Sequence, residues 1–153
     1  MEENPMPTKP AHKVIAVEEH FMHTTLTEHF GGGGHQSERI QSRLYDYAGI
    51  RIEEMDAAGI DMQVLSHQSP GSQRLSNDIA AQACRSVNDA LAGIIAQAPS
   101  RFSGFAMIPT MLPDAAADEL QRSVEELGLK GAMIHGLSQG EMVDVEKYWP
   151  IFA

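Results

Sequence analysis

FSGFAMIPTMLPDAAADELQRSVEELGLKGAMIHG, residues 102–136, reads as strand, helix, strand. Its opening run FSGFAMIP, residues 102–109, is apolar, has the length of a strand and does not alternate, as expected when both faces of a sheet are covered. Asp114 starts a helix that carries Ala117, Leu120, Val124 and Leu127 at helical spacing, and Gly128 ends it. KGAMIHG, residues 130–136, is the next strand. Two strands joined through one helix pair in parallel, with a right-handed crossover.

The same unit recurs toward the N-terminus. A strand at Val14–Val17 runs into Glu18, Glu19 and His20. A loop containing Gly31–Gly34 follows, then a helix from Ser37 to Ala58 with Ile40, Leu44, Tyr47, Ile52 and Met55 on its apolar stripe and Gly59 as C-cap. DMQVLSH, residues 61–67, is the second strand. Asn77 caps a helix running to about Ala98 through Ile79, Ala83, Val87, Leu91 and Ile94, and Pro99 closes it. After the fourth strand, a polar loop leads to VEKYWPIFA, where Trp149, Ile151 and Phe152 read as the opening turn of another helix with Pro150 near its start. The architecture is α/β, in about four βα units. A doubly wound sheet could close with that number. A (β/α)8 barrel needs eight units and about 250 residues, so the chain would supply half of one. The apolar residues at its C-terminus have nothing after them to pack on, which leads us to expect a truncated chain. Residues 1–12, polar and proline-rich, are expected to be a flexible segment, with 13–153 forming the partial barrel.

A formal charge of −10, from 21 acidic and 11 basic residues, disfavours nucleic acid and anionic membrane surfaces as partners. A single cysteine, Cys84, cannot form an internal disulfide and fits a reducing compartment. There is no signal-like apolar region, and no run approaches the roughly 18 apolar residues of a membrane span. A soluble, cytoplasmic protein is expected.

In parallel α/β folds the chemistry gathers at the C-terminal ends of the strands. Those ends here carry Glu18, Glu19 and His20; Ser66, His67 and Gln68; Pro109 and Thr110; and His135. Strand alternation is expected to put Glu18 and His20 on one face and to point Glu19 away. A carboxylate and a neutral imidazole are ligands for Zn²⁺ or Mn²⁺, although two protein ligands do not make a complete catalytic site. A solvated strand end whose histidine bonds to backbone would read the same way. His135 is open to three readings: third metal ligand, substrate contact or packed histidine. His67 is a weaker candidate for substrate contact, because SHQSPG also reads as a turn. His23, His29 and His35 are expected on an exposed loop. The Gly31–Gly34 run lacks the lysine and hydroxyl of a phosphate loop and reads as a lid or linker. Cys84 is expected to be inert and the methionines to fill core. Arg51, Glu53 and Glu54 are placed on a solvated helix face, with Arg51 long enough to reach the rim.

KVIAVEEHF, RIEEMDAAGIDMQVLS, the stretch from RSVNDAL to GAMIHG, and YWPIF, taken in order, resemble the amidohydrolase-2 group. More narrowly they are similar to its γ-resorcylate and 2,3-dihydroxybenzoate decarboxylases, relatives of aminocarboxymuconate-semialdehyde decarboxylase. The likeness runs from about residue 13 to the end and departs between Met22 and Gln36. It implies a distorted (β/α)8 barrel with a divalent metal, Zn or Mn, held at the first strand by Glu18 and His20. A glutamate, rather than histidine, at the first position points to the decarboxylase branch. It also implies a small aromatic carboxylic acid as substrate, with His135 and His67 as candidate contacts, and a homo-oligomer. The family takes its further ligands and its catalytic acid from later strands than this sequence contains, so the 153 residues alone are expected to be inactive. A metal-dependent hydrolase of the same superfamily, acting on a lactone or amide, is one alternative. A non-catalytic half-barrel that self-associates is the other.

Overall fold

The computed structural model describes residues 9–27, 29 and 37–153; residues 1–8 of the expected flexible segment, the Gly31–Gly34 run and His35 lie outside them. Strands β1 (Ile15–Phe21), β2 (Met62–His67) and β3 (Phe102–Gly104) form a parallel sheet in the order β1–β2–β3. Helices α1 (Thr24–Thr27), α2 (Glu38–Tyr45), α3 (Ile50–Ala58), α4 (Asn77–Gln97) and α5 (Pro113–Glu125) connect the strands or follow them, and a 3-10 helix spans Glu146–Phe152. The expected α/β class and parallel pairing hold.

Several elements differ from expectation, each for a local reason. The first strand does not stop at Val17 but carries Glu18, Glu19 and His20 within it. The single helix expected over residues 37–58 is two. Asp46 breaks it: its carboxylate accepts from the backbone N–H groups of Gly49, Ile50 and Arg51, which starts a new helix. Burial pushes the Asp46 carboxyl upward, but these donors outweigh it and hold the group below its ordinary value.

The third strand is three residues long rather than eight. Past it, the backbone of Met107 finds a side chain instead of a strand: its N–H donates to Asn88 Oδ1 and its carbonyl accepts from Asn88 Nδ2, both at 2.9 Å. The fourth strand is reduced to a single parallel bridge between Ala106 and Ala132, flanked by Ala106 N–H to Gly131 O at 2.7 Å and Met133 N–H to Ala106 O at 2.9 Å. Residues 130–133 therefore lie where the expected strand would, without a ladder.

The core lies between the sheet and its helices, around Phe21, Met55, Leu65, Leu91, Phe102 and Ile108. Gly104 sets the approach of α4, since a Cβ there would lie 2.8 Å from Leu91 Cδ2 and 3.0 Å from Ile95 Cδ1. Helix α5 buries Ala116, Glu119 and Ser123 and leaves the expected core residue Val124 exposed. In the 3-10 helix Tyr148 and Ile151 turn inward, while Trp149 and Phe152 remain exposed. The face of β1 away from the helices is open, with Ile15 50 % and Val17 60 % exposed. No helix among the described residues is long and apolar enough to cross a membrane.

Candidate metal and substrate site at the strand ends

β1 reaches the site through a bulge. Ala16 pairs with Gln63 and Glu19 with Leu65, so three steps along β1 match two along β2. The added residue falls at Glu18, which sits in the left-handed region at φ 60°. Regular alternation from Ile15 and Val17 would carry Glu19 to the open face and His20 to the helices. The bulge inverts this, and His20 pairs with Ser66. Its Nδ1 lies 3.1 Å from Ser66 Oγ, and its ring packs edge-on against that of His135 at 5.6 Å. The alternation expected to align Glu18 with His20 therefore does not run across this point. Glu18 is exposed within the bulge, near enough for its charge to favour protonation of His20. Glu19 points away, as expected, with its charge felt by Arg51.

Burial, and then the neighbouring His135, hold the His20 imidazole below its ordinary value, which favours the neutral ring. A neutral His20 whose Nδ1–H donates to Ser66 Oγ keeps a free lone pair on Nε2. That is the form in which histidine binds a metal, with its other nitrogen fixed by a hydrogen bond. Among the described residues, no three His, Cys, Asp or Glu side chains converge to hold an ion. Glu18 and His20 are suitable donors but form an incomplete set.

The structure brings His135 to this group. Its Nε2 lies 2.8 Å from the carbonyl oxygen of His67, and as the donor it leaves Nδ1 as an acceptor. With the Gln73 amide turned to satisfy both neighbours, its oxygen accepts from His135 N–H at 2.6 Å and its nitrogen donates to Pro70 O at 2.7 Å. Gly71, at φ 56°, passes so close that a Cβ would sit 3.1 Å from His135 Cδ2. Beside His135 is a cavity of about 450 Å³ that Ser69, Gln73, Arg74 and Gln139 also line.

His67 is not brought into the group. It pairs with Phe21 on the helix-covered side, is 5 % exposed and packs edge-on against the Phe21 ring at 5.5 Å. Its Nε2 accepts from His23 N–H at 3.2 Å, and its Nδ1 lies 2.9 Å from Gln68 O, so both ring nitrogens are engaged within the protein. Burial pushes its pKa down to about 4. Thr110 is buried and donates to Ser138 Oγ at 2.8 Å, a contact rather than an open rim position. Cys84 is buried and its thiol is pushed up to about 12 by burial, an unreactive state, as expected.

Arg51 was expected on a solvated face, and the structure corrects that. It is 8 % exposed and donates to the backbone carbonyls of His20, Arg43 and Asp46 and to Gln63 Oε1. No sequence pattern marked it, because three of its acceptors are backbone oxygens brought together only by folding. Glu53 and Glu54 do lie on the exposed face, where Glu54 pairs with Arg43.

A model of the amidohydrolase family matches residues 18–153. The chain belongs to the amidohydrolase family. Among its relatives is the γ-resorcylate decarboxylase of Rhodococcus jostii (strain RHA1), 41 % identical over 133 residues, which cover 85 % of this chain and 40 % of that protein. Among solved structures, dihydroxybenzoic acid decarboxylase from Polaromonas sp. JS666, with bound manganese and the inhibitor 2-nitroresorcinol, superposes with a TM-score of 0.84 at 36 % identity, covering 92 % of this chain and 45 % of that one. The 5-carboxyvanillate decarboxylase of Novosphingobium aromaticivorans DSM 12444, with manganese and 4-hydroxy-3-methoxy-5-nitrobenzoic acid, gives 0.85 at 32 % identity and covers 93 % and 47 %. This amidohydrolase chain thus spans about half the length of the relatives it matches, and the resemblance read from its sequence holds.

Proposed function

We propose that this chain is the part of a metal-dependent, non-oxidative decarboxylase of hydroxybenzoate-type acids that carries two of the metal ligands, Glu18 and His20. The observation that carries this reading is the bulge at Glu18. It turns His20, tied to Ser66 and held toward its neutral form by burial, to the face of β1 away from the helices, with Glu18 exposed in the bulge and its charge acting on the ring. Relatives named as decarboxylases, with manganese bound in two of their structures, support the reaction class and a divalent ion, Mn²⁺ or Zn²⁺. When bound, the ion supplies Lewis acidity and a template that orients the oxygens of an ortho-hydroxy acid. The further ligands of a (β/α)8 site come from outside the described residues.

The chain's own residues prepare that site. Ser66 holds the His20 ring through Nδ1, leaving Nε2 for the ion. His135, with Nε2–H given to the His67 carbonyl, presents Nδ1 as an acceptor for a ring hydroxyl. The adjoining 450 Å³ cavity has room for a one-ring acid, with the exposed Arg74 guanidinium on its wall to meet a carboxylate. His67 serves beneath them as a buried support rather than as a contact. A cytoplasmic homo-oligomer is the setting this reading carries.

Two assays test it, with Mn²⁺ and 2,6-dihydroxybenzoate as the probe substrate. The 153-residue polypeptide alone is expected to release no CO₂, while the protein in its natural length is expected to release it and to lose the activity on His20→Ala or Glu18→Gln. Metal-dependent CO₂ release by the short polypeptide would overturn the incomplete-site reading. Full activity of the His20→Ala protein would overturn the ligand assignment.

A further inference from the structure

Arg51 is a buried cation whose hydrogen-bond partners are all neutral: Asp46 O at 3.0 Å from Nε, Gln63 Oε1 at 3.1 Å from Nη1, and both His20 O at 2.8 Å and Arg43 O at 3.1 Å from Nη2. Burying a guanidinium with no carboxylate hydrogen-bonded to it is costly. The nearby charges of Glu19, Asp46 and Glu54 offset only part of that cost, since burial still holds Arg51 below its ordinary value; the arrangement calls for a purpose. The acceptors explain it geometrically. Arg43 O lies in the last turn of α2, where helical carbonyls lack intrahelical partners, and Asp46 O follows it. Gln63 belongs to β2, and His20 O to the bulged end of β1.

The same corner grips the next residues of β1. Met22 N–H donates to Leu44 O at 2.9 Å, and the Tyr47 hydroxyl donates to Met22 O. Residues 43–51 therefore hold the chain at positions 20 and 22 on the side away from the candidate ligands. A non-glycine residue in the left-handed region, as Glu18 is, persists only where its surroundings over-determine the backbone. Regular strand pairing cannot supply that at a bulge, so side chains must.

We infer that Arg51 is a positioning residue for the metal site: by fixing the His20 carbonyl it holds the bulge of β1 and keeps the His20 imidazole on Ser66 and facing the side of β1 away from the helices. The inference rests on the ligand role proposed for His20. A planar fork with five donors suits acceptors from three elements, and the lysine ammonium, a single point, does not replace it.

The test compares the protein in its natural length, as wild type, Arg51→Lys and Arg51→Met, by two readouts: the ¹⁵N resonances of the His20 ring, which report its tautomer, and affinity for Mn²⁺. In wild type His20 is expected as one tautomer, protonated at Nδ1. In the variants the ring signals move toward the average of two tautomers, and Mn²⁺ affinity falls about 10-fold or more. A folded Arg51→Lys protein with the wild-type His20 signals and unchanged Mn²⁺ affinity would overturn the inference, reducing Arg51 to a support of the fold. If Arg51→Met does not fold, the lysine variant decides alone. If wild type binds no Mn²⁺, the metal reading fails, and the tautomer comparison still decides the role of Arg51.

Discussion

His67 shows most directly how burial sets chemistry in this protein. The unfolded chain takes up its proton near pH 6.5, while the folded one resists protonation until about pH 4. Its contribution to stability is thus complete above pH 6.5 and is lost as pH falls toward 4, by at most on the order of 3 kcal/mol. Urea unfolding between pH 7.5 and 4.5 should show the decline, and His67→Gln should flatten it. An unchanged slope in that variant would assign the decline to other groups. At this scale Glu18, His20 and His135 were legible as candidates from residue type and place at strand ends. The roles of His67 and Arg51 were not. Whether a histidine faces the site or the core depends on which side of the pleat its strand presents, and Arg51 binds carbonyl oxygens that every residue carries.

Asn88 on α4 holds backbone of the segment that follows β3. Its amide takes both backbone groups of Met107, and its Nδ2 also lies 2.8 Å from Glu119 Oε1 and 3.3 Å from Ser123 Oγ on α5. Arg122 closes the group on Glu119 with two bonds, at 2.8 and 2.9 Å. This polar cluster explains why α5 turns Glu119 and Ser123 inward and leaves Val124 in solvent. Asn88→Ala leaves a buried N–H, a buried carbonyl and a carboxylate short of partners, and is expected to cost about 3 kcal/mol or more. Denaturant unfolding of that variant measures the loss, and a change under about 1 kcal/mol would mean water replaces the amide. Helical chain over residues 38–58, Asn77–Gln97 and Pro113–Glu125 could be read from apolar spacing, and Gly59 as the end of α3, whereas the single-turn α1 could not. The break at Asp46 and the inward polar face of α5 were not, because a carboxylate or amide that captures backbone groups leaves no periodic trace.

At the scale of the whole molecule, β2 is buried on both faces, whereas β1 leaves Ile15 and Val17 half exposed or more on its face away from the helices and is an edge strand among the described residues. Such a face and edge drive association when nothing covers them. Light scattering on the 153-residue polypeptide is therefore expected to show a mass that rises with concentration, and Val17→Lys should lower it. A monomer at every concentration would count against this. The sequence by itself determined the α/β class, the parallel pairing, the amidohydrolase membership and the residues eligible to bind a metal, since apolar runs, helix stripes and ordered motifs are local properties. Only the tertiary structure decided which of those residues meet. The inserted residue at Glu18 turns His20 to the open face, the pleat of β2 sends His67 to the core, and Arg51 fastens the bulge from behind. Each outcome depends on the register between strands distant in sequence, and register is fixed by packing that no single stretch of sequence contains.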